Sequence, residues 1–213
     1  MSRTKLAVRA LSETGRTERL RFAYLAMTGK LENSVRDHLA HWIHVHHGEA
    51  VVVGRDVGPG KIQLQGFGSK SARFDLAVIS RSTSNIELCE AKQFYTFDFK
   101  EGETCLVNEL HQQIAADAKR LMVARLPGGL VETHLLFLVC HVARVNPEPE
   151  YKLIEKYDIA RRSALPDRSD EILLGFNGDD TFTDWEFAAS DRLELGECFG
   201  YSVTLLPIVG SRR

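Results

Sequence analysis

Several features that would assign the chain to a familiar class of protein are missing from its sequence. No window approaches the roughly 20 apolar residues that a membrane-spanning helix needs, and the N-terminal segment MSRTKLAVRALSETGR has no apolar core of signal-peptide length. No Cys-x-x-Cys pair is present, and the four cysteines lie far apart, at Cys89, Cys105, Cys140 and Cys198. We therefore expect a cytoplasmic protein with reduced thiols and no membrane partner.

The sequence also lacks an excess of positive charge. Its 213 residues include 27 Lys and Arg against 29 Asp and Glu, which gives a formal net charge of −2. No global field therefore draws the chain to nucleic acid, and any polyanionic partner must be met by a local patch. The glycines form no Walker or dinucleotide-binding fingerprint, which argues against a nucleotide-binding loop of either type.

What the sequence does contain is a pattern typical of an α/β protein. With 44% hydrophobic residues, a chain of this length can bury a full core as one globular domain. Apolar residues at helical spacing predict helices over 17–28, 31–48, 104–126 and, less clearly, 152–165. Short apolar runs bounded by turn residues predict strands over 50–57, 61–67, 73–80, 85–92, 133–145 and 202–210.

The strand predicted over 133–145 is apolar on both faces, so it should be buried on both sides. In the order strand, helix, strand, such a segment favours a parallel pair joined by a crossover helix, here over residues 86–145. No repeat or linker interrupts the chain. We therefore expect a single domain over residues 1–213, of the α/β class.

Charged residues occupy places in two predicted strands where a core residue would serve better. Side chains alternate along a strand, so Glu90 and Lys92 share a face, about 6.5 to 7 Å apart. Asp75 opens the preceding strand, and the two carboxylates converge if these strands are neighbours. Two carboxylates suit a hard cation such as Mg²⁺, and a nearby ammonium suits the charge that develops during phosphodiester hydrolysis.

Asp75, a spacer and then Glu90-Ala91-Lys92 resemble the PD-(D/E)xK signature of restriction-endonuclease-like nucleases, with Phe74 in place of the proline. The resemblance implies a mixed central sheet flanked by helices, with a core at about 17–145 and residues 146–213 as an extension of the same domain. It implies Mg²⁺ or Mn²⁺ held by Asp75 and Glu90, and a catalytic Lys92. DNA is the favoured substrate, and a homodimer is expected because two strands are commonly cut by two copies.

The same resemblance adds three residues from helices. Glu32, in the leading helix, matches the glutamate that joins the metal site in many such nucleases. Gln113 and Asp117, in the helix after the lysine, match polar residues that some members contribute. Glu32 could instead form a surface ion pair with Arg36, one turn later.

The Asp/Glu-x-Lys tripeptide alone is weak evidence for a nuclease site, since it also begins at Asp98, Asp117 and Glu150. Only at Glu90 does it follow a strand-like run with an aspartate heading the strand before. Three alternatives stay open at this point. Asp75 and Glu90 could be polar strand ends that face solvent. The chain could have an inactive nuclease-like fold that serves as a nucleic-acid or protein interaction module. It could also be an accessory protein that binds a protein partner in place of DNA.

Overall fold

The computed structural model describes residues 1–28, 31–67, 72–99, 108–145 and 166–212. Five α-helices occur in these ranges: α1 (Arg3–Ala10), α2 (Arg16–Thr28), α3 (Leu31–His47), α4 (Asn108–Val123) and α5 (Ser169–Gly178). Seven strands accompany them: β1 (Val51–Val57), β2 (Phe74–Ser80), β3 (Ile86–Tyr95), β4 (Val131–Arg144), β5 (Trp185–Ala189), β6 (Leu193–Cys198) and β7 (Tyr201–Arg212).

All seven strands belong to one mixed sheet, in the order β1-β2-β3-β4-β7-β5, with β6 pairing beside β5 along the same edge of β7. Only β3 and β4 run parallel among these pairs, and α4 lies between them in the chain. The predicted strand, helix, strand unit is therefore confirmed, as is the α/β class with a mixed sheet flanked by helices. The restriction-endonuclease-like core and the single domain over 1–213 stay predictions.

The helices cover the two faces of the sheet unequally. One hydrophobic core packs α1, α2 and α3 against one face, and α3 contributes Leu31, Val35, Leu39 and Ile43 at the predicted helical spacing. The second core packs α4 and α5 against the other face, including a cluster of phenylalanine rings around Phe137 and Phe176. The central strand β4 is buried on both sides between them, as its apolar run predicts.

One prediction about local structure is wrong, and four elements were missed. Residues 61–67 do not form a strand: Pro59–Ile62 is a 3₁₀-helix, Gln63 has a left-handed backbone (φ +56°), and only Gln65 makes an isolated bridge, to Arg125. Helices α1 and α5 and strands β5 and β6 were not predicted. The helix predicted over 152–165 lies outside the described residues.

Two further findings concern the chemistry of the chain. Cys89 and Cys140 are buried, Cys198 is half-buried, and all three are free thiols, as predicted, whereas Cys105 lies outside the described residues. Among the helices in the described ranges, none combines the length and apolar composition required to cross a bilayer.

Candidate active site

Strands β2 and β3 bring Asp75 close to Glu90. The paired residues of the two strands end with Leu76 opposite Cys89, and Asp75 lies one residue beyond that pair. Glu90 projects from the face of β3 that α4 covers, and the charge of Asp75 contributes to the raised pKa of Glu90. The pairing of β2 with β3 and this effect on the pKa agree with the predicted proximity of the two carboxylates.

Asp75 is held on both of its oxygens. Its Oδ2 accepts a hydrogen bond from the Ala91 backbone N–H at 2.8 Å, which ties the carboxylate to β3. Its Oδ1 lies 3.2 Å from Nη1 of Arg36, which also contacts Asp56 at 3.1 Å. The suggested pairing of Arg36 with Glu32 is therefore wrong, because the Arg36 side chain turns toward β2 instead.

Glu90 is the most deeply buried carboxylate of the site, with 3% of the residue exposed. Burial, followed by the charge of Asp75, raises its pKa to about 8, and the Arg120 guanidinium offsets part of that rise. Arg120 Nη2 lies 2.6 Å from Glu90 Oε1, a close contact between the guanidinium and the carboxyl group. Glu90 is therefore a buried carboxyl group with Arg120 as its close cationic partner.

Lys92 points from the same face of β3 toward α4. Its Nζ lies 3.3 Å from Asp117 Oδ2, and about a quarter of the side chain (26%) is exposed. Burial lowers the pKa of Lys92, but the charges of Asp117, Glu32 and Asp75 outweigh burial and raise the pKa above its usual value. The side chain is therefore a charged ammonium placed among carboxylates.

Glu32 reaches the site from the first turn of α3. Its Oε2 accepts from the Gln93 backbone N–H at 3.1 Å, while Gln93 Oε1 accepts from the Leu31 backbone N–H at 3.1 Å. These two bonds fix the start of α3 against β3, one residue beyond Lys92. Burial and the charge of Asp75 raise the pKa of Glu32, and Lys92 counteracts them.

Helix α4 closes the site with two charged residues. Asp117 is 7% exposed and bridges two cations, since its Oδ1 lies 2.9 Å from Arg120 and its Oδ2 faces Lys92. Gln113, one turn earlier, is exposed. Arg120 was missed by the sequence reasoning. The available signal was an aspartate between the core positions Ile114 and Ala118, with an arginine one turn on.

The side chains of the site determine which metal ion it could hold. Within the described ranges, no group of three or more His, Cys, Asp or Glu side chains is arranged to hold a metal. Mg²⁺ needs only one or two protein carboxylates and takes its other ligands from water and substrate. Glu90 Oε1 and Asp117 Oδ2 are buried oxygens whose close neighbours are the cations of Arg120 and Lys92. The oxygen-only donors at Asp75 and Glu90 therefore suit a hard cation.

Comparisons of the chain with protein-family models, curated proteins and solved structures give no significant match. The class that the fold and site define is therefore a broad one: an α/β protein with a mixed sheet and a buried cluster of carboxylates, one lysine and two arginines. The resemblance to restriction-endonuclease-like nucleases stays a prediction that rests on the chain's own residues.

Proposed function

We propose that this chain is a metal-dependent nuclease that hydrolyses phosphodiester bonds, with DNA as the favoured substrate. The observation that carries the proposal is convergence. The nuclease-like motif predicts one shared chemistry for four residues that lie on three different elements: Asp75 on β2, Glu90 and Lys92 on β3, and Glu32 on α3. Their electrostatic coupling ties them into one cluster, since Lys92 is influenced by both Glu32 and Asp75, and Glu90 by Asp75.

In this proposal, Asp75 and Glu90 hold Mg²⁺ or Mn²⁺, and Glu32 assists from α3. The bound cation would polarise a phosphoryl oxygen and lower the pKa of a water molecule. Lys92 would orient the attacking water and stabilise the negative charge that develops on the phosphate. Asp117 would keep the Lys92 ammonium in position through its 3.3 Å contact.

The proposed setting is a cytoplasmic homodimer. Free buried thiols at Cys89 and Cys140 are compatible with a reducing compartment. Two copies would serve duplex cleavage, one for each strand. The formal charge of −2 disfavours tracking along duplex over a broad basic surface. Contact with DNA would therefore be short and local to the site.

The proposal is tested by cleavage of supercoiled plasmid and of end-labelled single strands, with Mg²⁺, Mn²⁺ or EDTA. The matched variants are Lys92→Met and Lys119→Met, the second at an exposed position on α4. We expect metal-dependent cutting by the wild type and by Lys119→Met, and a rate lower on the order of a hundredfold in Lys92→Met. Equal cutting by the two variants would contradict the assigned role of Lys92.

A second candidate function is favoured by the arginines. Arg36 pairs with Asp75, and Arg120 pairs with Glu90, so each proposed metal ligand already has a cationic partner. Such pairing suits an inactive nuclease-like fold that serves as a nucleic-acid or protein interaction module. Calorimetry with Mg²⁺ separates the two, because the module has no use for metal at Asp75 and Glu90. Absence of both heat and cleavage would favour the module.

A further inference from the structure

The guanidinium of Arg36 joins the carboxylate cluster to a strand at the end of the sheet. Nη1 of Arg36 donates to Asp75 Oδ1 at 3.2 Å and to Asp56 Oδ1 at 3.1 Å. Asp75 belongs to β2, whereas Asp56 belongs to β1, the last strand on that side of the described sheet. One nitrogen atom therefore serves two carboxylates, and one of these is a proposed ligand of the metal.

The two carboxylates differ in exposure and in their other partners. The Asp75 side chain is 18% exposed, and its second oxygen accepts from the Ala91 backbone N–H. The Asp56 side chain is 62% exposed, whereas that of Arg36 is only 13% exposed. A guanidinium held this far from water is unfavourable without an anionic partner. If a metal ion takes the place of Arg36 at Asp75, Asp56 is the carboxylate that still pairs with the guanidinium.

The backbone of Asp56 has an unusual conformation at this point of β1. Its φ is +49°, in the left-handed region that residues other than glycine rarely adopt. The residues on either side of Asp56 pair with the two residues that flank Asp75 on β2. The Asp56 carbonyl also accepts a hydrogen bond from Arg73 at 3.3 Å. A strained residue persists where its surroundings hold it, and such residues cluster at functional sites. The strand thus holds Asp56 near Asp75, where Arg36 reaches both carboxylates.

The other acidic residues near Arg36 are less suited to receive it. Asp37 Oδ1 lies 3.7 Å from Nε of Arg36, which is too far for a hydrogen bond, and it also contacts Arg55. Glu32 accepts from the backbone of β3 instead. Among the ion pairs of the described residues, only Asp56 shares Nη1 of Arg36 with Asp75.

We infer that Asp56 is a positioning residue of the proposed metal site, which retains the Arg36 guanidinium when a divalent cation takes its place beside Asp75. The inference rests on the proposed function, because it assigns Asp56 a part in metal binding at that site. In the metal-free chain, Asp56 and Asp75 share Arg36. A divalent cation at Asp75 repels the guanidinium, which then keeps one carboxylate on the same nitrogen. Asp56 thereby lowers the free energy that the exchange of Arg36 for the metal requires.

The test is calorimetric titration of the full chain with Mg²⁺ alone. Asp56→Asn removes the charge and keeps a residue that tolerates the left-handed conformation. Asp184→Asn removes the same charge from an exposed position before β5, at the other end of the sheet from β1. Each substitution is measured with Arg36 present and in combination with Arg36→Gln. Melting temperatures in EDTA report whether each protein folds.

We expect Asp56→Asn to weaken Mg²⁺ binding by about three- to tenfold when Arg36 is present, and Asp184→Asn to bind like the wild type. Arg36→Gln should bind Mg²⁺ more tightly than the wild type, because no guanidinium then competes for Asp75. In that background, Asp56→Asn should change the affinity by less than about twofold, since the interaction that it perturbs is already absent.

The results that would overturn the inference differ in what they mean for the nuclease proposal. Mg²⁺ affinity that Asp56→Asn leaves unchanged, or weakens equally with and without Arg36, would overturn the role of Asp56 and leave metal binding intact. Absence of Mg²⁺ binding in the wild type and in every variant would overturn the inference together with the proposed function. The comparison of Asp56→Asn with Asp184→Asn needs no Arg36 variant, so it decides the matter even if Arg36→Gln does not fold.

Discussion

Substitution of Glu90 by Gln gives the most direct measurement of the electrostatics of the site. Glu90 is 3% exposed, and its pKa is raised to about 8 by burial first and by the charge of Asp75 second. Gln has the same shape as a protonated glutamate and cannot ionise. The variant therefore represents the neutral form of the site at every pH, and its comparison with the wild type isolates the free energy of charging Glu90.

The sign and size of the effect follow from linkage between protonation and folding. Because the folded pKa of about 8 exceeds the ordinary value of 4.5, the folded chain binds the proton more tightly than the unfolded chain. The stability that this proton provides is complete below pH 4.5 and is lost as the pH rises toward 8. The loss amounts to at most about 1.4 kcal/mol per pH unit and sums to about 5 kcal/mol as an upper limit.

The assay is urea unfolding in EDTA at pH 5.5, 6.5, 7.5 and 8.5, with the wild type, Glu90→Gln and Glu186→Gln measured in parallel. Glu186 is exposed on β5 and controls for a change of one charge. We expect the wild type to lose stability relative to Glu90→Gln with each step in pH, and the difference to level off above pH 8. Parallel pH profiles for the wild type and Glu90→Gln would refute the raised pKa of Glu90.

Two further substitutions test contacts around the site and the sheet. Arg120→Met removes the cation beside Glu90, so we expect the free energy of unfolding to fall by about 3 kcal/mol at pH 8.5. The loss should be smaller at pH 6, where Glu90 can bind a proton instead. Equal losses at the two pH values, measured by urea unfolding, would count against the pairing of Arg120 with an ionised Glu90. Gly129→Ala places a Cβ 1.7 Å from the Ser84 backbone oxygen, so we expect a loss of about 1–3 kcal/mol, with Gly178→Ala, which meets no atom within 4 Å, as the neutral control.

Strong periodicity made much of the fold predictable. Helices α2, α3 and α4 and strands β1 to β4 and β7 follow from apolar spacing, and the register of β2 with β3 brings Asp75 to Glu90. Each of these features depends on a local pattern or on the pairing of consecutive strands. The parallel pairing of β3 with β4 follows from burial of β4 on both faces.

The features that sequence reasoning missed depend on contacts between distant residues. Helix α1 is anchored through Glu87, more than 80 residues away from Thr4, and no local pattern reports such a contact. Residues 61–67 alternate like a strand, and Ile62 and Leu64 are buried as the pattern indicates. The backbone nevertheless turns, because Gln63 adopts a left-handed conformation. Burial was predicted there, but the secondary structure was not.

The ionic partners of the site were unpredictable for the same reason. Arg36 lies one turn from Glu32 on α3, yet its ion pairs reach Asp56 and Asp75 on β1 and β2. In the sequence, Arg120 is indistinguishable from the other charged residues of α4, and only the structure shows that Glu90 of β3 lies beside it. The tertiary structure determines which ion pairs a long side chain can form. Sequence spacing therefore identifies only one of several possible ionic partners.

The two arginines also define what separates a nuclease from an interaction module with the same residues. In the metal-free chain, Arg36 and Arg120 partly neutralise Asp75 and Glu90, so a divalent cation must compete with them and with the proton on Glu90. A cation that wins this competition stabilises the folded chain by about 3 kcal/mol at a hundred times its Kd. We therefore expect Mg²⁺ to raise the melting temperature of the wild type at pH 8 but not that of Glu90→Gln. Equal shifts in the two proteins would place the bound metal away from Glu90, and Glu90 could then not be the metal ligand that the nuclease proposal requires.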